Sequence, residues 1–235
     1  QNKAINDTIT QLNNLPYEIA AVIPGAETGV ELADKLSHRM KLRSNGEDGS
    51  MARRNKYHMG EKVRQAGVRA VKQRFCKKET ELLEFLNDLS SNLKSKGMKF
   101  KCVVKPVESA GTDDVFLCDT IDEAVTGFHK IIGKKNGLGI YNDGVLVQEF
   151  LKGSEYVVDK VSRNGVHKIV AIWQYVKRPI NGADFVYFGM KLIDPNTEQS
   201  QEMIKYSDEV LNALGIREGP SHMEVMYCAD GPCLV

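Results

Sequence analysis

The 235-residue sequence has no apolar run approaching the roughly 18 residues a membrane helix needs. Residues 1–16 hold no charged segment leading into an apolar one, so they do not read as a secretory leader. Charge of one sign is also missing: 32 Lys and Arg against 31 Asp and Glu leave +1, too little to coat nucleic acid or an anionic membrane. There is no Cys-x-x-Cys pair. The five cysteines (Cys76, Cys102, Cys118, Cys228, Cys233) are odd in number and scattered. That argues against a disulfide scaffold or zinc site and for reduced thiols in a cytoplasmic protein. Internal repeats and low-complexity tracts are absent, and 42% hydrophobic with 27% charged residues excludes global disorder. What is left is a globular chain of one to two domains at about 150 residues each.

The patterning is that of a mixed α/β chain (α+β in its second half). Residues 18–25 form an apolar run closed by Pro24-Gly25 and read as a buried parallel strand, with a helix over 27–40 following. A basic helix is expected over 51–66, stopped by Gly67. Strands are expected over 68–75, 100–104, 115–118 and 145–150. Between them lie a leucine-faced helix over 80–93 and a helix over 120–132, with Thr120 and Glu123 in capping-box spacing. Strands follow over 155–161 and 167–175, joined by an Asn164-Gly165 turn, then 185–190, a helix over 199–214 and a strand over 222–227. Gly231-Pro232 turns into a last short strand at Leu234-Val235, a strand so brief that the sequence reads as a piece of a longer chain.

Lys105 ends an apolar strand and precedes Pro106 and a small-residue loop, Ser109-Ala110-Gly111-Thr112. An ammonium beside a loop whose small side chains let N–H groups approach oxygens is a way to hold polyphosphate; a solvated lysine at a strand end is the ordinary alternative. It is not a Walker loop, which needs a Gly-x-x-x-x-Gly-Lys-Ser/Thr run opening a helix. About forty residues on stands Gln148-Glu149-Phe150-Leu151-Lys152-Gly153-Ser154-Glu155-Tyr156, and later His222-Met223-Glu224. Strand alternation sends Glu224 to one side with His222 and Met226, as it would any outward strand residue. Val176-Lys177-Arg178-Pro179 reads as a basic turn, either a solvated tip or a cationic contact for phosphate or carboxylate.

These three motifs in this order resemble the ATP-grasp superfamily of carboxylate–amine ligases, in particular the branch of L-amino-acid ligases and carnosine-synthase-like enzymes. The resemblance runs from about residue 25 to 235 and implies two α+β lobes sandwiching ATP. By that resemblance Lys56 and Lys105 reach the phosphates, Asn55 standing where the family has Asp. Ser109, Ala110, Gly111 and Thr112 form the loop over the phosphates, poor in glycine here. Gln148, Glu149, Phe150 and Leu151 form the adenine hinge, and Glu155 takes the ribose hydroxyls. Glu224 is the first Mg2+ ligand and His222 faces substrate. Apart from the resemblance, the basic stretch itself offers Lys177 or Arg178 as the candidate cation for a phosphate or carboxylate, and Arg178 is taken as the site residue.

The implied organisation is a remnant of a Rossmann-like domain and linker helix over 1–67, a small lid domain over 68–149, and a truncated C-terminal lobe over 150–235. The implied chemistry is amide formation between an amino-acid carboxylate and an amine through an acyl phosphate, with ATP and Mg2+ required and homodimerisation left open. In the family the last strand runs on into Glu-x-Asn or Glu-x-x-x-Arg, a second metal acid and a cation. The sequence ends before that point, so weak ATP binding and low turnover are expected of it. A catalytically inactive ATP-binding module is the alternative reading.

Overall fold

A computed structural model describes residues 2–109, 114–180 and 183–235, and every structural statement below concerns these. Helix α1 (Asn2–Asn13) opens the chain. Residues 18–24 are extended and mostly exposed, and no strand pairs with them. The expected parallel strand is therefore corrected: no described strand pairs with the apolar run, and its Val22 carbonyl accepts instead from Ser37 Oγ at 3.3 Å. A single 3-10 turn, Glu27–Gly29, leads into α2 (Val30–Arg39).

The expected basic helix is broken in two. A 3-10 turn at Met51–Arg53 is followed by α3 (Lys56–Gln65), because Asn55 leaves the helical region and caps α3, accepting from the His58 N–H at 3.1 Å. Gly67, just past the α3 C-cap, sits at φ 75°, the left-handed position that glycine adopts without strain.

The first sheet has order β1-β4-β2-β3: β1 (Gln73–Cys76), β4 (Val145–Glu149), β2 (Cys102–Lys105) and β3 (Phe116–Cys118), all antiparallel. Helices α4 (Glu79–Ser95) and α5 (Ile121–Ile131) cover one face. Leu82, Leu86, Phe128 and Ile131 pack there on Cys76, Cys102, Val104, Val145 and Val147. Each fully buried Leu or Ile contributes about 2 kcal/mol by removal from water. Period-two alternation then sends Val103 and Lys105 of β2 to the opposite face.

The second sheet has order β7-β6-β5-β8-β9, again antiparallel: β5 (Gly153–Arg163), β6 (Val166–Ile180), β7 (Ala183–Leu192), β8 (Gly219–Cys228) and β9 (Gly231–Leu234). Helix α6 (Glu198–Ala213) lays Met203, Val210 and Leu211 on Val158, Ile172, Met223 and Val225. Asn164 and Gly165, at φ 55° and 78°, make the tight β5–β6 turn. The Tyr206 hydroxyl donates to the Arg69 carbonyl (2.7 Å) and accepts from the Leu234 N–H (2.8 Å), which ties the segment entering the first sheet to the last strand of the second. Only three residues, Phe150, Leu151 and Lys152, separate the two sheets along the chain. No described helix is long and apolar enough to cross a membrane.

Candidate active site

A cleft of about 1210 Å³ lies between the uncovered face of the first sheet, the second sheet and the N-terminal segment. Two elements bring two lysines into it. Lys105 comes from the end of β2, on the face away from α4 and α5. Lys56 is the first residue of α3, and α3 is docked on the chain just past β2. The Lys56 N–H donates to Val107 O (3.1 Å), Asn55 Nδ2 to Glu108 Oε1 (3.1 Å), and Lys56 Nζ to Ser109 O (2.9 Å). The cap residue that starts the helix thus also fixes where its first lysine points.

The electrostatics match that convergence. Burial, with the adjacent Lys56 charge, lowers the Lys105 pKa to about 8, against the opposing pull of Glu224 and Glu155. Lys56 is lowered by its own burial and by Arg54, with Glu27, Glu224 and Glu108 acting the other way. Both ammonium groups feel Glu224. In β8, His222, Glu224 and Met226 face the cleft while Met223 and Val225 enter the core, as alternation requires.

Glu155, on β5, has its pKa raised by burial, although its ion pair with Lys177 (2.6 Å) and the Lys105 charge pull it down. Lys177 itself lies 4.3 Å from the centre of the Tyr187 ring, which meets the Tyr175 ring edge-on. Burial alone would lower the Lys177 pKa, but its hydrogen bonds to Glu155 and Tyr187 prevail and raise it. His222 is held by Asp159, Nδ1 to Oδ1 at 2.8 Å, while the other Asp159 oxygen accepts from Trp173 Nε1 at 2.9 Å. The remaining ring nitrogen, Nε2, lies 3.3 Å from the Tyr175 hydroxyl.

The hinge residues Gln148, Glu149, Phe150 and Leu151 all line the cleft. The Gln148 amide is tied to Gln73 (2.9 Å), and the Glu149 carboxylate accepts from the Lys72 N–H (2.8 Å), so that side chain already has a partner. Ser109 is buried at the cleft wall; Ala110, Gly111 and Thr112 lie outside the described residues.

Arg178 is the expected site residue the structure moves elsewhere. The segment 176–179 is part of strand β6, not a turn. Alternation therefore puts Lys177 with Tyr175 in the cleft and Arg178 on the opposite face, exposed, 5.5 Å from the Phe188 ring. Sequence reasoning also missed Glu27 and Arg54, which line the cleft as an ion pair between residues 27 positions apart. Local periodicity carries no signal for a pair so distant.

Among the described residues, no three His, Cys, Asp or Glu side chains cluster as a metal cage. A cleft carboxylate such as Glu224 suits Mg2+ that arrives on phosphates, since that ion keeps water and phosphate oxygens as most of its ligands.

A family model described as an ATP-grasp domain matches residues 98–235. Dapdiamide A synthase of Enterobacter agglomerans is 36% identical over 232 residues, covering 98% of this chain and 52% of that protein. The chain thus spans about half the length of this curated relative. Among solved structures, an L-amino acid ligase from Bacillus licheniformis superposes with a TM-score of 0.72 at 19% identity, covering 99% of this chain and 50% of that one. The biotin carboxylase domain dimer of Hydrogenobacter thermophilus 2-oxoglutarate carboxylase, solved with MgADP, ADP and bicarbonate, gives 0.68 at 13% identity, covering 99% and 49%.

Proposed function

Because the chain belongs to the ATP-grasp family, we propose that it carries the nucleotide-binding part of a carboxylate–amine ligase that joins two amino acids. The observation that carries the reading is the meeting of Lys56, Lys105 and Glu224 in one cleft between two sheets. Adenine stacks against the Gln148–Leu151 hinge, the ribose hydroxyls reach the free oxygen of Glu155, and the triphosphate lies along Lys105 and Lys56. Glu224 would hold Mg2+, which when bound neutralises phosphate charge. Lys105 and Lys56 supply the fixed positive charge that the transferring phosphoryl group needs, preorganised and shielded from water.

A carboxylate does not react with an amine because its oxygen is a poor leaving group. In the proposed reaction the substrate carboxylate attacks the γ-phosphorus, ADP leaves, and the amine then displaces phosphate to give the amide. No protein nucleophile is required; positioning and charge neutralisation suffice. His222, with Nδ1 on Asp159 and Nε2 3.3 Å from the Tyr175 hydroxyl, stands on the substrate side to take the proton the amine loses. Five buried cysteines, none of them in a disulfide, fit a reducing compartment, and the cytoplasm is the proposed location.

The test is a coupled ADP-release assay with pairs of amino acids. ADP release that needs both a carboxylate and an amine donor supports the ligase. The lack, among the described residues, of any three His, Cys, Asp or Glu side chains grouped to hold a metal favours one other reading, a nucleotide-binding module without turnover. Tight ADP binding with no release under any pair would select it.

A further inference from the structure

Arg53 and Arg54 are consecutive, and both side chains are only 4% exposed, yet they are treated differently. Arg53 has no buried nitrogen left without a partner among the described residues. Its Nε and Nη2 donate to Asp34 Oδ2 at 3.0 and 2.9 Å, and Ser50 Oγ donates to the same oxygen at 2.7 Å. Arg54 is half engaged. Nη1 donates to Glu27 Oε1, while Nη2 is buried with no hydrogen-bond partner among the described residues. Leaving a buried donor on a charged group unpaired is unfavourable, and such an orphan calls for an explanation.

The counter-ion differs too. Glu27 is 46% exposed, so a buried guanidinium on the cleft wall is covered by a carboxylate free to move. Position narrows what would replace it. Glu155 and Lys177 are among the charges felt by Lys105, whereas Arg54 and Glu27 are among those felt by Lys56. Lys105, Lys56 and Arg54 all line the one cleft, and Arg54 precedes Lys56 by two residues at the start of α3.

We propose that Arg54 is an oxyanion receptor in the same cleft as Lys56, and that Glu27 is a placeholder carboxylate which an incoming oxyanion displaces. The planar fork of a guanidinium suits two oxygens of one carboxylate or phosphate. The inference rests on the nucleotide reading above, and two sources share this chemistry: the terminal phosphate of the nucleotide and the carboxylate being activated.

Binding to the 235-residue chain with Mg2+ tests it in two arms. One arm reads the affinity ratio of AMP-PNP to ADP, and the other the Kd of L-alanine for the ADP-loaded protein. Glu27→Gln, at an exposed position, removes the competing charge and is expected to tighten binding several-fold in one arm. Arg54→Lys is expected to weaken that same arm about tenfold. In the Arg54→Lys background, Glu27→Gln should lose most of its effect, which separates relief of Arg54 from a field effect on Lys56.

The arm that responds names the source. Glu27→Gln weakening or leaving both arms unchanged overturns the proposal, and this variant decides alone if Arg54→Lys does not fold. Absence of ADP binding in the unaltered chain would instead remove the nucleotide reading, and this inference with it.

Discussion

Raising the pH should weaken nucleotide binding through a proton that Lys105 has to recover. Burial, with the Lys56 charge beside it, lowers its pKa from 10.5 to about 8 in the free protein. A triphosphate alongside favours the charged form and returns the pKa above the working range. From a pKa of about 8, the free side chain is about one-tenth neutral at pH 7, about half at pH 8 and about nine-tenths at pH 9. Binding should take up about those fractions of a proton, and Kd should rise about tenfold between pH 7 and pH 9. Lys56, lowered in the same direction, adds to both effects.

The same shift acts on the stability of the free chain with a defined sign. Between about pH 8 and 10.5 the unfolded chain binds more protons at this residue than the folded one, so stability rises across that window. The cost of burying the charge is fully present below about pH 8. Calorimetric titration of ADP in buffers of different ionisation enthalpy measures the proton uptake directly. Lys105→Arg, charged throughout, should remove most of the pH dependence, and Lys105→Ala should abolish nucleotide-dependent thermal stabilisation. A Kd that stays flat from pH 7 to 9, or proton uptake that survives Lys105→Arg unchanged, would refute the reasoning.

Three further outcomes are expected. Glu224→Gln should remove most of the gain in ADP affinity produced by Mg2+ while leaving binding without metal largely intact, read by titration with and without the ion. Gly153→Ala should destabilise the second sheet, because a Cβ there would stand 2.2 Å from the Tyr227 carbonyl oxygen across the β5–β8 pair. A loss of about 1–3 kcal/mol is expected in urea unfolding. Thr120→Ala removes the hydroxyl that accepts from the Glu123 N–H at 3.1 Å and should cost about 1 kcal/mol.

The sequence was most informative where local chemistry and tertiary packing agree. Thr120 and Glu123 announced the start of α5, and the alternation around Glu224 sorted β8 into a cleft face and a core face. Lys105 could be placed at a strand end because the apolar run before it and Pro106 after it bound that strand on both sides. Misreadings came where pairing or long-range partners decide. The apolar run at 18–24 has strand composition but no described strand beside it. Of the alternating stretch 68–75, only the part from Gln73 is strand, because that is where β4 begins to pair with it. Lys-Arg-Pro at 177–179 has turn composition, yet it lies in a strand paired with β7, which exchanged Arg178 for Lys177 at the cleft. The Glu27–Arg54 pair depends on how the N-terminal segment folds back, which no local pattern encodes.

The central claim is that Lys56 and Lys105 grip one triphosphate opposite Glu224. A crystal structure of the chain with Mg2+ and AMP-PNP tests it most directly. Both Nζ atoms should stand within hydrogen-bond distance of phosphate oxygens of the same nucleotide, with Glu224 bound to the metal directly or through water. A nucleotide bound elsewhere, or in the cleft with either ammonium turned away from its phosphates, would contradict the account.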